Sequence, residues 1–374
     1  MTARSEPPAR ANALRLRRFV RLLRPLKTTD INPAVHGPFR RAVAFVGSLL
    51  DLTAYVYLLI AGVAALSRKF GGAVGATLQP LHAGFPVVIA PTIAVVLFAV
   101  LRRRLLLVLL SGILAVTGWF AVAPAIGTTS PPPWSRTAPT LTIAAANLLF
   151  TNPTPEAAAK QLLDLNADVV VVIELTEQLA QTLDASGFAT AYPNRSLVPQ
   201  PHPTGAGIYS RLPIVEIRRW GDDRLPDVDL QLPNGELVRI VAIHPMPPTD
   251  RERSGPWRQQ LKRLADRAFT ETAIPFVAVG DFNGTRWQPG FGQLLEVLSD
   301  VHEMSGKGLS RSWPANTAGL PLLFRLDHAL VNDRFVPLAL RDVPLVGSDH
   351  VAFLTTLAVR SDSTATIVAP DTSL

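Results

Sequence analysis

A chain of 374 residues has room for a hydrophobic anchor and one ordinary globular domain, or for two modest soluble domains. Hydrophobic residues make up 48% of it at a mean hydropathy of +0.24, and they concentrate before Gly127. The net charge of +7 is equally uneven: residues 1–126 hold 15 Lys and Arg against Glu6, Asp30 and Asp51, and the remainder holds 21 basic and 26 acidic residues, which argues against a nonspecific nucleic-acid binder.

Residues 1–41 form a basic tail with ten Lys and Arg, among them Arg15, Arg17, Arg18, Arg21 and Arg24. Three apolar stretches follow, at 42–66, 81–101 and 105–123, each close to the ~20 residues that cross a bilayer core, and they predict a three-helix transmembrane anchor over 42–126. A cleavable signal peptide fits badly, because its basic region would lie at the extreme N-terminus and a single apolar run would follow. Arg102, Arg103 and Arg104 separate the second and third stretches, whereas only Arg68 and Lys69 lie between the first two. Since positive loops stay inside, the tail and the arginine turn are expected in the cytoplasm and everything after Ala123 outside it. Asp51 falls inside the first stretch, where an ionisable side chain is either tolerated near an interface or against another helix, or paired for function. His82 and Pro86 read as interfacial, and Pro91 is expected to kink the second span. Residues 127–138, with Pro131, Pro132 and Pro133, read as a stiff linker.

The globular domain is expected over 139–362, with a flexible tail at 363–374. A strand is predicted at 141–147, then a helix opened by Thr154, Pro155 and Glu156, then a buried valine strand at 168–174. Residues 230–244 predict a hairpin turned at Asn234-Gly235, and 252–269 an arginine-rich helix. Further strands are expected at 276–280, 325–331 and 352–359. This mixture implies a layered α/β domain. The lack of cysteine excludes disulfides and thiolate metal sites.

Polar residues cluster at the ends of these runs: Asn147, Glu174, His244, Asp281 with Asn283, Asp327, and Asp349 with His350. Singly, each is ordinary turn chemistry. In this order they resemble the endonuclease/exonuclease/phosphatase superfamily of DNase I-like enzymes, through the strands ending at Asn147, Glu174 and His244 and the segments Gly207 to Ile214, Gly280-Asp-Phe-Asn283, Arg325-Leu-Asp-His328 and Gly347-Ser-Asp-His350. The resemblance covers about residues 141–359. It implies a four-layer α/β sandwich, two mixed β-sheets flanked by helices, here preceded by the three transmembrane helices.

The resemblance further implies a metal-dependent phosphoesterase with Glu174 as principal metal ligand and Asn147 and Asp349 near the metal or phosphate. Carboxylate and amide oxygens suit Mg²⁺ or Mn²⁺, and no His/Cys cluster suggests zinc. Asp281 would activate water, Asn283 would position it, His350 oriented by Asp327 would contact the phosphate, and His244 would be a second phosphate contact or proton donor. Arg211 and Arg325 could bind phosphate or hold loops through backbone carbonyls, and Trp287 could line the cleft or cap the core. His328, beside Asp327 on a strand, points to the opposite face. Leu149 stands where nuclease members tend to carry another Asp or Asn, which leaves a second metal ligand in doubt. The expected partners are the lipid bilayer and a phosphoester, whether a phospholipid, an envelope-derived phosphate ester or extracellular nucleic acid. The alternatives are an extracellular nuclease specifically, or a non-catalytic membrane-bound binding module on the same fold.

Overall fold

The structure is a computed structural model that describes residues 37–70, 77–221, 225–271, 273–317 and 319–360. Most of the basic tail and the expected tail at 363–374 lie outside these residues. The chain divides into two compact units, Met1–Val56 and Tyr57–Leu374.

The apolar region forms a long helix α1 (Gly37–Phe70), short helices α2 (Gln79–Ala83) and α3 (Phe85–Ile89), then α4 (Thr92–Leu101) and α5 (Leu105–Val122). Among the described residues, two helices are long and apolar enough to cross a membrane, Arg41–Arg68 and Leu105–Ala125. The middle stretch differs from the expected full span: Pro91 interrupts it, and its apolar part, Phe85–Leu101, is the shorter kind. At 1.5 Å per residue it reaches roughly 25 Å, less than the ~30 Å hydrocarbon core. Along α5, Leu105, Leu109, Ile113 and Phe120 are exposed, whereas Leu107, Ser111 and Gly118 are buried. A side chain at Gly118 would meet Ile89 at 2.3 Å, so α3 and α5 touch almost backbone to side chain there.

Among the described residues, two six-stranded sheets make up the globular domain. The first has the order β11-β12-β1-β2-β4-β3, with β1 (Thr140–Asn147), β2 (Val169–Ile173), β3 (Asn194–Val198), β4 (Ala206–Ser210), β11 (Phe335–Pro344) and β12 (Val351–Val359). The second has the order β5-β6-β7-β8-β10-β9, with β5 (Ile214–Trp220), β6 (Leu225–Gln231), β7 (Leu237–Ile243), β8 (Phe276–Asp281), β9 (Ser299–Asp300) and β10 (Asp327–Val331). β-Branched residues favour these strands, and the period of two divides them between faces. Ile143, Val171, Val277 and Val279 point between the sheets into one core. Ala144, Val170 and Val172 pack outward against α6 (Pro155–Asp164) and α7 (Glu177–Leu183), and Val241 and Ala278 pack against α8 (Arg251–Thr270) through Trp257, Leu261 and Leu264. Two mixed sheets flanked by helices therefore match the expected sandwich. The expected hairpin is formed by β6 and β7.

Strand direction gathers the functional ends. β1 runs parallel to β2, and β7 parallel to β8, so each pair ends on the same edge. β10 is antiparallel to β8 and starts at Asp327, directly opposite Asp281. β12 is antiparallel to β1 and starts just after His350.

At Gly280 the backbone has φ +143°, and a Cβ would lie 2.3 Å from the Ile243 carbonyl oxygen and 3.0 Å from Ile173 Cδ1. Only glycine fits between the sheets without displacing β7. Gly280→Ala should destabilise the domain by about 2–4 kcal/mol, read as a shift in the denaturant midpoint. An unchanged midpoint would show that β7 yields freely.

Candidate active site

Glu174 follows β2 and Asn147 ends β1, in neighbouring register. Asn147 Nδ2 donates to Glu174 Oε1 at 3.0 Å and to Asp281 Oδ2 at 3.1 Å, which ties the first sheet to the second. The Phe150 N–H donates to Glu174 Oε2 at 3.0 Å, and the Leu149 N–H to Asn147 Oδ1 at 3.0 Å. Thus the position where a further metal ligand was in doubt contributes its backbone instead. Leu149, Glu174 and Asn283 all have left-handed backbone, with φ of 59°, 62° and 48°. Such strain in non-glycine residues persists where surrounding structure enforces it.

Asp281 is 1% exposed and accepts from the Asn283 N–H at 2.7 Å. The Asn283 amide donates to the Pro245 carbonyl at 3.0 Å, which anchors the loop after β8 to the end of β7. His350 Nδ1 lies 2.8 Å from Asp327 Oδ2, and its Nε2 lies 3.6 Å from Asp281 Oδ2. His244 Nε2 lies 3.8 Å from the same Asp281 oxygen, beyond a hydrogen bond, and its Nδ1 is buried without a partner. Ser348 donates to the Asn147 carbonyl at 2.7 Å and accepts from the His350 N–H at 2.9 Å, so it locks two motifs together.

Burial opposes a charge on His350, but Asp327 and Asp281 more than offset it and the imidazole is pushed up to about 10. Burial likewise opposes ionisation of Asp327, yet His350 holds its carboxyl below the ordinary value. For Asp281 burial prevails: the carboxyl is raised although His350 and His244 pull it down, and Asp327 adds to the rise.

Asp281, Asp327 and His350 bring ligand atoms within 4.8 Å of one another, as a metal group would. Two members of this group, His350 and Asp327, already bond each other at 2.8 Å. Glu174, Asn147 and Asp349 fit a metal better, because all three offer oxygen and Asp349 Oδ1 is buried with no partner. Trp313 Nε1 donates to Asp349 Oδ2 at 3.1 Å and so turns the other oxygen free. The donor set suits Mg²⁺ or Mn²⁺.

A cleft of about 820 Å³ is lined by Glu174, His244, Asp281, Asn283, Asp349 and His350 together. Three candidate residues fall elsewhere. Arg211 donates to Asn166 at 2.6 Å and lies over the Tyr192 ring, so it holds the loop before β2. Arg325 is buried and bound to Asp342, His302 and the Ser310 carbonyl, which makes it structural. Trp287 is buried against Phe85 and accepts from Arg68 on its carbonyl, rather than lining the cleft. His328 sits on the opposite face as expected, bonded to Asp300 at 2.7 Å. Ser348 lies within a motif that the sequence displayed, whereas Trp313, in a polar loop, carried no signal.

The Endonuclease/Exonuclease/phosphatase family matches residues 144–350. No curated protein matches the chain. Among solved structures, D. rerio TDP2 complexed with single-strand DNA product is 16% identical with a TM-score of 0.50, covering 59% of this chain and 99% of that one. An endonuclease/exonuclease/phosphatase family protein from Bacteroides thetaiotaomicron is 15% identical with a TM-score of 0.49, covering 60% and 100%. One from Beutenbergia cavernae is 19% identical with a TM-score of 0.47, covering 59% and 72%. At such identities the likeness concerns the fold alone.

Because Asp327 and Asp281 sustain the imidazolium, His350 should titrate near pH 10 in the NMR spectrum of the full chain, charged below and neutral above. Asp327→Asn should move that transition to lower pH. A transition that stays in place would mean that Asp327 does not stabilise the charge.

Proposed function

The chain belongs to the Endonuclease/Exonuclease/phosphatase family, whose members are metal-dependent hydrolases of phosphoester bonds, and from that premise we propose that it is a membrane-anchored phosphoesterase whose catalytic domain lies outside the cytoplasm. The observation that carries the catalytic reading is the convergence of Glu174, Asp281, Asn283, His244, Asp349 and His350 on one cleft, with Asn147 bonded behind Glu174 and Asp281. A divalent cation held by Glu174, Asn147 and Asp349 would neutralise phosphoryl oxygens.

The chain's own groups supply the rest. Asp281, whose raised affinity for protons makes it a better base than an exposed carboxylate, takes a proton from the attacking water. Asn283, with its amide nitrogen engaged by Pro245, offers its oxygen to orient that water. His350, kept cationic by Asp327, donates to the phosphoryl oxygens as charge develops, and His244 stands beside Asp281 as a second donor. Water bonds to phosphorus, the ester P–O bond breaks, and the leaving oxygen takes a proton from His244 or His350, which the proton held by Asp281 then replaces. What favours catalysis over a binding module is that Asp281 and His350 line an open cleft together with the candidate metal ligands Glu174 and Asp349.

Membrane attachment is supported by the two long apolar helices and the exposed apolar side of α5. Orientation is supported by Arg102, Arg103 and Arg104 between α4 and α5. The other end of the helices meets the catalytic domain: Arg68 donates to the Trp287 carbonyl at 2.6 Å, and Thr285 to the Ala83 carbonyl at 3.2 Å. Those contacts support a connection between α1 and α3 on the catalytic side, which fits three crossings only if the shorter α3–α4 stretch also crosses, with the bilayer thinned around it.

Glu174→Gln should lower hydrolysis of phosphate esters by on the order of 10²-fold or more while leaving the unfolding midpoint in place, because the carboxylate supplies charge as well as coordination. Full activity in excess EDTA, or in that variant, would sink the metal-dependent reading. Independently, a reporter fused after Leu374 should report an extracytoplasmic position and one within the first 41 residues a cytoplasmic one. The reverse result would overturn the orientation.

A further inference from the structure

The short helix α2 joins two hydrophobic helices, yet its residues are built into the catalytic domain. Gln79 is 3% exposed, and its Oε1 accepts from Gln288 Nε2 at 2.9 Å. Gln288 Oε1 in turn accepts from the Thr285 N–H at 2.7 Å, two residues beyond Asn283. On the membrane side, His82 is fully buried and its Nε2 lies 2.8 Å from Ser67 Oγ on α1. The relay thus runs from the end of a hydrophobic helix, through α2, to the loop that carries Asn283.

The same segment forms one wall of the catalytic cleft. Gln79, Pro80 and Ala83 line it at one side, and Met246, Pro247 and Pro248, after His244, line it at another, with Trp313 and Phe324 nearby. Met246 is 48% exposed, a conspicuous position for an apolar side chain beside a hydrolytic centre. Among the lining residues Arg253 is the one arginine, there is no lysine, and Arg253 already pairs with Asp250 at 3.4 Å. A polyanion tracked along a cleft needs several cations to replace its counterions, so this lining does not suit nucleic acid. At about 820 Å³ the cleft exceeds what a phosphoryl group fills, and the excess is bounded largely by apolar side chains.

We propose that the substrate is an amphiphile resident in the bilayer, whose phosphoester enters the cleft while its alkyl chain lies against the wall formed by Gln79–Ala83 and Met246 to Pro248. This inference rests on the phosphoesterase and membrane readings above. Because α2 stands between hydrophobic helices in the chain, a wall built from it would let an alkyl chain leave the cleft toward the bilayer rather than into water.

The test uses the full chain in dodecyl maltoside micelles with Mg²⁺ and paired probes that share a reacting group: methyl phosphate against hexadecyl phosphate, and 4-nitrophenyl methyl phosphate against 4-nitrophenyl hexadecyl phosphate. The long-chain member of the cleaved pair should show kcat/KM at least tenfold above the short one. Met246→Asp should reduce that ratio at least threefold, since it sets a charge in the path of the chain. Equal rates on long and short probes, with hydrolysis still abolished by EDTA, would overturn the amphiphile and spare the phosphoesterase. A long-chain preference untouched by Met246→Asp would trace to micelle partitioning and overturn the wall. Hydrolysis of none of the four would overturn the phosphoesterase reading itself, and the amphiphile with it.

Discussion

A carboxylate taken out of water must find donors or cations, or give up its charge, and Asp281 is almost fully enclosed. It finds Asn147 across the gap between the sheets, the Asn283 backbone on its own loop, and two imidazoles at 3.6 and 3.8 Å. Each partner comes from a different strand end, so the need of one buried charge fixes how β1, β7, β8 and β12 meet. The bond from Asn147 also reaches Glu174, and therefore the candidate metal ligands and the candidate base share one amide group. Disturbing the relative placement of the two sheets would disturb both at once.

Asp327 completes this constraint from the other side. Its charge faces Asp281 across the β8–β10 pair, where two carboxylates would repel, and His350 sits between them as the shared cation. The arrangement is expensive in an apolar interior unless every member is present. That interdependence explains why His350 is held so far toward its charged form although burial opposes it.

The strands with apolar, β-branched interiors were legible in the sequence: the valine run of β2, the Asn234-Gly235 hairpin and β8 are where the pattern put them. So was the cleft constellation, because each member ends an apolar run. The edge strands β3, β5 and β11 were not, since a strand with one neighbour needs no continuous apolar face. In β6 Asp227 and Asp229 break the apolar pattern, yet both are buried, met by Arg218, Arg239 and Arg267. Ion pairs formed across sequence distances of this size leave no local signature. For the same reason Arg211, Arg325 and Trp287 were ambiguous: a motif shows that a residue is required, but its partners, Asn166, Asp342 and Phe85, decide whether it serves packing or chemistry. The interruption at Pro91 was visible as a kink, whereas the resulting shortness of the middle helix depended on where α2 and α3 break from it.

The left-handed backbone at Leu149, Glu174 and Asn283 bears on what holds the loops of the site in place. Glycine relieves this conformation at no steric penalty, and each non-glycine occupant costs about 1–3 kcal/mol. Glycine in place of Glu174 or Asn283 would relax the backbone and at the same time release the loop that the side chain now fixes. Glutamate stands at 174 in a conformation that opposes it because both of its carboxylate oxygens are tied down, one by the Asn147 amide and one by the Phe150 N–H, so the bonds that hold the side chain also hold the strained backbone.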